Sequence, residues 1–135
     1  MSQGISFSIL STLYVALGGA IGSAARFQVG HLASKWAGPD MQFPWATFSV
    51  NLTGSLIMGA LMGWFVRDGV SQENLRVFLM TGIMGGFTTF SAFSAEMVTM
   101  LYREQYLLTA LYVGGSIVAG IVLFLVGLVA IQNVQ

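Results

Sequence analysis

Apolar residues run along this chain in four long stretches, and the charges fall between them. Charge-free runs cover 1–25, 41–66, 77–95 and 105–135. A helix needs roughly 20 apolar residues, at 1.5 Å each, to cross a bilayer. The first run supplies about 7–25, the second 43–66 and the fourth 106–131. The third span, 77–101, is long enough only if Glu96 is accepted inside the membrane or at its edge. The pattern predicts an all-α integral membrane protein with four transmembrane helices in a single domain over 1–135. Short connections at 26–42, 67–76 and 103–104 join the spans, so both termini lie on one side.

Composition narrows the function classes. Of the 135 residues, 56% are hydrophobic and 7% charged, against about 25% charged in a soluble domain. So few polar groups cannot cover the surface of a small soluble protein, which excludes a soluble globular enzyme. A net charge of zero gives no phosphate footprint, so the reading is no nucleic acid partner. Cysteine is absent and His31 stands alone, so thiolate and imidazole metal sites are excluded. Seventeen glycines in a hydrophobic chain are what close helix packing in lipid demands.

The start, Met1–Leu10, lacks the basic residues of a signal peptide, although Ser23-Ala24-Ala25 offers small residues at a cleavage position. Gly18 and Gly22 give the same segment a small face suited to permanent packing. Orientation is undecided by charge. Arg26, Lys35 and Arg103 stand on one side, Arg67 and Arg76 on the other. Either something besides charge fixes the orientation, or the chain inserts both ways and pairs with its inverted copy. Four helices hardly enclose a polar path alone, so a dimer is expected on both readings.

Polar residues inside spans are costly and mark candidate pathways. Thr47, Asn51 and Ser55 form one stripe of the second span. The Asn51 amide either lines a path or hydrogen-bonds two helices together. Ser55, Gly59 and Gly63 read as a packing ridge. In the third span Gly85-Gly86, Phe87 and two β-branched threonines, Thr88 and Thr89, make a poor helix, which predicts a break at mid-span. Backbone groups freed there are tolerated only where they line a cavity or hold an ion. Phe90 and Phe93 then share a face, with Thr88, Ser91 and Ser94 alternating. Ring edges tolerate an anion and ring faces a cation. Arg26 either snorkels to the interface or sets a positive field in a vestibule. Glu96 is either a proton-coupled carboxylate or a structural partner for an arginine such as Arg26. Tyr112, Ser116 and Gly120 share a stripe of the fourth span and either face the third span's hydroxyls or simply pack.

The stretch Gly82-Ile83-Met84-Gly85-Gly86-Phe87-Thr88-Thr89-Phe90-Ser91-Ala92-Phe93-Ser94-Ala95-Glu96 closely resembles the signature of the Fluc/CrcB fluoride channels. The resemblance extends to the length, the four spans, the Gly-rich first span ending in Arg26, and Val50-Asn51-Leu52. It implies a passive, fluoride-selective channel that relieves fluoride toxicity in a bacterial inner or plasma membrane, and no enzyme. It implies an antiparallel, dual-topology homodimer with two pores. The pore residues would be Asn51, Thr47, Phe90, Phe93, Thr89, Tyr112 and Ser116. Arg26 would be the vestibule arginine and Glu96 the carboxylate near the pore. Backbone carbonyls of Gly85 and Thr88 from both copies would hold a structural Na+ at the dimer interface.

Two departures stand out: Ala92 where the signature carries a threonine, and Gly120 where some relatives have a serine. Both bear on the detail of the polar track. The physics fits a small, strongly hydrated anion, which needs several compact donors in place of water. The competing reading is a proton-coupled exporter of small cations, like the four-span small multidrug transporters, using Glu96. Those transporters carry their essential Glu in the first span, where this chain has no acidic residue.

Overall fold

The computed structural model describes residues 9–38, 40–69 and 72–134. Phe7 and Ser8, the start of the expected first span, lie outside the described residues, as does most of the segment read for a signal peptide. Among the described residues four helical spans are long and apolar enough to cross a membrane. The first is α1 (Ile9–Ala37) and the second α2 (Trp45–Asp68). The third, Glu73–Tyr102, is composite. It comprises α3 (Glu73–Arg76), a π-helical stretch (Val77–Met84), α4 (Gly85–Phe87) and α5 (Phe90–Tyr102). The fourth is α6 (Tyr106–Gln132).

The apolar run at the start of the chain ends at Ala25, yet α1 continues for three further turns. Nothing between Arg26 and Ala37 breaks a helix; the stop is Gly38, with φ +72°, followed in sequence by Pro39. The far end of the third span closes differently. Gln105 N–H bonds Met100 O and Glu104 N–H bonds Leu101 O, both at 3.0 Å, with Glu104 left-handed at φ 58°. This is a Schellman closure, and it turns the chain directly into α6.

Packing pairs the spans by parallel alternates. Along α1 and the third span, Ser11 meets Asn74, Gly18 meets Gly82, and Arg26 meets Thr88. Along α2 and α6, Phe48 meets Tyr112, Gly59 meets Phe124 and Gly63 meets Leu128. Gly18, Gly82, Gly59 and Gly63 each sit against the backbone of a neighbouring helix, so helix association here rests on close van der Waals contact. Gly59 and Gly63 are thus packing residues, as the ridge in the sequence indicates. Outward faces remain apolar: Leu13, Leu17, Ile21, Leu107, Val118 and Leu125 are all exposed, as lipid requires.

The two parallel C-termini of α2 and α6 share one clamp. Arg67 pairs with Asp68 at 2.6 Å and donates to the carbonyls of Ile131 and Val134 at 3.2 and 3.3 Å. A helix end leaves such carbonyls unpartnered, and a cation there complements the helix dipole. Arg67→Met is expected to fray the last turn of α6 with little effect elsewhere. Faster amide exchange confined to residues near Ile131 checks this.

Candidate functional site

Lipid offers no partners to a broken helix, so every freed backbone group must be accounted for. The break lies at Thr88 (φ −79°, ψ 159°) and Thr89 (φ −150°, ψ 125°), both extended. That is within the stretch read as a poor helix, although Gly85 and Gly86 at its start are still helical. Their neighbours explain the difference. A Cβ on Gly86 would lie 2.6 Å from Gly19 O, so this glycine serves contact with α1. The threonines, with side-chain partners of their own, carry the extended backbone.

Asn51 stands opposite on α2. Thr89 N–H donates to Asn51 Oδ1 at 2.9 Å, and Asn51 Nδ2 donates to Thr89 O at 3.0 Å. Both backbone groups of one extended residue are thereby satisfied by one side chain, and one Asn51 N–H is left over. The Thr89 hydroxyl accepts from Ala92 N at 3.3 Å and caps α5. Thr88 Oγ1 turns back to Met84 O at 2.9 Å, as Ser94 Oγ does to Phe90 O at 3.0 Å. Those two hydroxyl hydrogens serve the helix and are not free.

Asn51, Thr89, Phe90, Phe93 and Ser116 line one cleft of about 370 Å³. Among the described residues no ionisable side chain lines it. Ser116 Oγ is buried there without a hydrogen-bond partner among the described residues. The Phe90 and Phe93 rings lie 6.0 Å apart, tilted by 37°. Phe90 is 79% exposed, on the open side of the cleft. Phe93 instead packs its ring 5.0 Å from that of Tyr112, which is wholly buried.

Tyr112 connects this cleft to Glu96. Its hydroxyl donates to Glu96 Oε2 and Thr47 Oγ1 donates to Glu96 Oε1, both at 2.7 Å. The sequence offered Arg26 as the structural partner for Glu96, and this pairing is not what the fold makes. Arg26 Nη1 instead approaches Thr88 O at 3.4 Å. Parallel packing of α1 and the third span sets Arg26 level with the break. Glu96 lies eight residues further on, about 12 Å at 1.5 Å per residue.

Among the described residues no three His, Cys, Asp or Glu side chains stand together as metal ligands. A cation held here would need carbonyl oxygens, which suit a hard ion such as sodium. Gly85 fits that requirement. A continued helix would give its carbonyl the Thr89 N–H, which Asn51 has taken. A Cβ on Gly85 would meet only Met80 O, at 3.9 Å, so this face of the chain is open. Thr88 O is also outside the helix ladder, though Arg26 reaches it. The donors fit in kind, and one chain supplies too few to complete a coordination shell.

The family described as CrcB-like protein, Camphor Resistance (CrcB), matches residues 13–128. The chain belongs to the CrcB family. This CrcB-family chain is 48% identical over 124 residues to the Fluoride-specific ion channel FluC of Novosphingobium aromaticivorans, covering 92% of this chain and 98% of that one. It is 48% identical over 118 residues to the protein of the same name from Hyphomonas neptunium, covering 86% and 91%. The one from Methylobacillus flagellatus is 45% identical over 115 residues, covering 85% and 89%. CrcB membership makes the chain a multi-pass membrane protein of a channel family, not an enzyme.

Two features of this CrcB-family site escape sequence reading. Thr47, Glu96 and Tyr112 were separate candidates, and no spacing along the chain joins three helices into one cluster. The cap at Thr89 did leave a signal, a threonine three residues before an N–H that starts a helix.

Proposed function

We propose that the chain is a fluoride-selective channel that lets the anion leave the cell passively, down its electrochemical gradient. The observation that carries this reading is the cleft beside the helix break. It lies at membrane depth, holds no charge that would bind a counter-ion permanently, and offers donors: the spare Asn51 N–H and the unpartnered Ser116 hydroxyl. A buried hydroxyl without a partner costs about 1–3 kcal/mol on mutational scales, a cost that an arriving anion repays. Phe90 and Phe93 flank the donors, and rings turned edge-on present their positive rim to an anion. Relatives that cover nearly the whole chain carry the name Fluoride-specific ion channel FluC.

The working unit on this reading is an antiparallel homodimer with two pores, in an inner or plasma membrane. The cleft is open along the side of exposed Phe90, where a second copy would close it. Charge supports insertion both ways. With Arg26 drawn into the bundle against Thr88, Lys35 and Arg103 face Arg67 and Arg76, two cations against two. Gly85 and Thr88 carbonyls of the two copies would hold a structural Na+. Such an ion supplies positive charge at mid-membrane without a titratable group. Thr47, Tyr112 and Glu96 continue the polar track beyond Phe93.

Fluoride efflux from liposomes loaded with the purified protein tests the proposal, with valinomycin to balance charge and chloride as the control. The expected outcome is fast fluoride loss that stops when valinomycin is left out, with chloride retained. Well-folded protein that moves no fluoride would return attention to Glu96 and proton-coupled export of small cations.

A further inference from the structure

A second cavity lies on the other side of the cluster that closes the first. It measures about 300 Å³ and sits between the chain preceding α2 and the C-terminal half of α5. Gln42, Pro44, Glu96, Thr99 and Arg103 are among its walls. The two cavities share no lining residue. What separates them is a thin partition. Phe93 faces the first cavity, Tyr112 packs on Phe93, and Glu96, held by Tyr112 and Thr47, faces the second.

Depth orders these parts. Arg103 and Glu104 mark the end of the third span, at the membrane edge. Glu96 lies seven residues deeper, about 10 Å along the helix. The second cavity therefore runs from the aqueous boundary down to the partition, and the first continues beyond it toward Met58 and Phe124. They stand in series across the membrane. Charge matters at the outer one, because a carboxylate at its floor repels an incoming anion. Among the described residues Arg103 is the only cation on its wall, and it is exposed and has no ion-pair partner.

We propose that this second cavity is the other mouth of the ion path in each chain, with Arg103 drawing anions into it past Glu96. The inference rests on the channel reading and adds a place of entry and the residue that biases it. An unpaired cation at the rim of a low-dielectric cavity raises local anion concentration, and salt screens the effect.

The chain has no cysteine, so Thr99→Cys introduces a single thiol on the cavity wall. Its reaction rate is measured in proteoliposomes with an anionic sulfonatoethyl and a cationic trimethylammonioethyl methanethiosulfonate. The expected result is faster reaction with the anionic reagent at about 10 mM salt, where the Debye length is about 30 Å. Adding Arg103→Gln should lower the anionic-to-cationic ratio about fivefold, which a change of about 0.8 kT in local potential produces because the two reagents respond in opposite directions. Arg103→Lys should keep the ratio, and about 1 M salt should erase the difference. Completed modification should stop fluoride efflux. An unreactive thiol, a ratio indifferent to Arg103, or full modification with undiminished efflux each overturns the proposal. A cysteine-free parent that carries no fluoride removes the channel reading itself. A conducting parent with an inert Thr99→Cys removes this proposal alone.

Discussion

Asn51→Ala is expected to lower fluoride efflux about a hundredfold while leaving a folded four-helix chain. The reason lies in what the amide does at Thr89. It satisfies that residue's N–H and its carbonyl at 2.9 and 3.0 Å, in the one stretch of the third span that has left the helix ladder. Alanine leaves two backbone groups without partners at membrane depth, each costing about 1–3 kcal/mol. At about 1.4 kcal/mol per factor of ten, the lower half of that range already shifts the break a hundredfold toward other conformations. Thr89 also caps α5, so its displacement carries Phe90 and Phe93 with it.

Asn51→Asp separates clamp from charge. It keeps an acceptor for the Thr89 N–H, loses the donor to the carbonyl, and sets a negative charge beside an anion path. Efflux should be lost as fully as in alanine, with the Thr89 amide still protected from exchange. Efflux assays with amide hydrogen exchange at Thr89 read both predictions. Asn51→Ala that conducts at half the parental rate, with Thr89 protected, would show that the clamp is dispensable.

That clamp also marks where sequence reading stopped. Asn51 was legible as a residue that either lines a path or joins two helices, because an amide inside lipid must bond something. Which partner it finds depends on α2 lying against the break, and no local pattern contains that. The break falls inside the stretch read as a poor helix, at its threonine end. Gly85 and Gly86 are weak helix formers on propensity, yet both stay helical, Gly86 in close contact with Gly19 of α1, and the extended residues are Thr88 and Thr89. The four spans were legible since charge-free runs of such length have one outcome in a membrane protein. The reach of α1 beyond Arg26 was less so, because polar residues such as Gln28 and His31 end an apolar run without ending a helix. Arg26 and Glu96 were both recognised as charges needing explanation. Their separation by about two turns of helix follows only from the parallel packing of α1 on the third span.

Gly22→Ala is expected to prevent assembly of the bundle, and Gly19→Ala, on the same helix, to be tolerated by it. A Cβ on Gly22 would run into the Ile83 carbonyl oxygen and sit 2.7 Å from the backbone nitrogen of Phe87. Both obstacles are backbone, so no side chain can rotate away. Overpacking of this kind costs about 1–3 kcal/mol and more where nothing yields. The gain in helix propensity, about 1 kcal/mol from Gly to Ala, does not offset it. A Cβ on Gly19 meets nothing within 4 Å, so there the propensity gain stands alone. In lipid the consequence is larger than the sum, because helix association rests on close contact and has no hydrophobic drive to fall back on. Moving the third span off α1 also takes Arg26 away from Thr88 and tilts the segment that presents the break to Asn51. Monodisperse protein recovered after detergent extraction should fall steeply for Gly22→Ala and stay at the parental level for Gly19→Ala, with thermal unfolding of the helices shifted in the same order. Indistinguishable yields and melting curves would mean that α1 and the third span do not meet through these glycines, and the level of the break in the membrane would then need another cause.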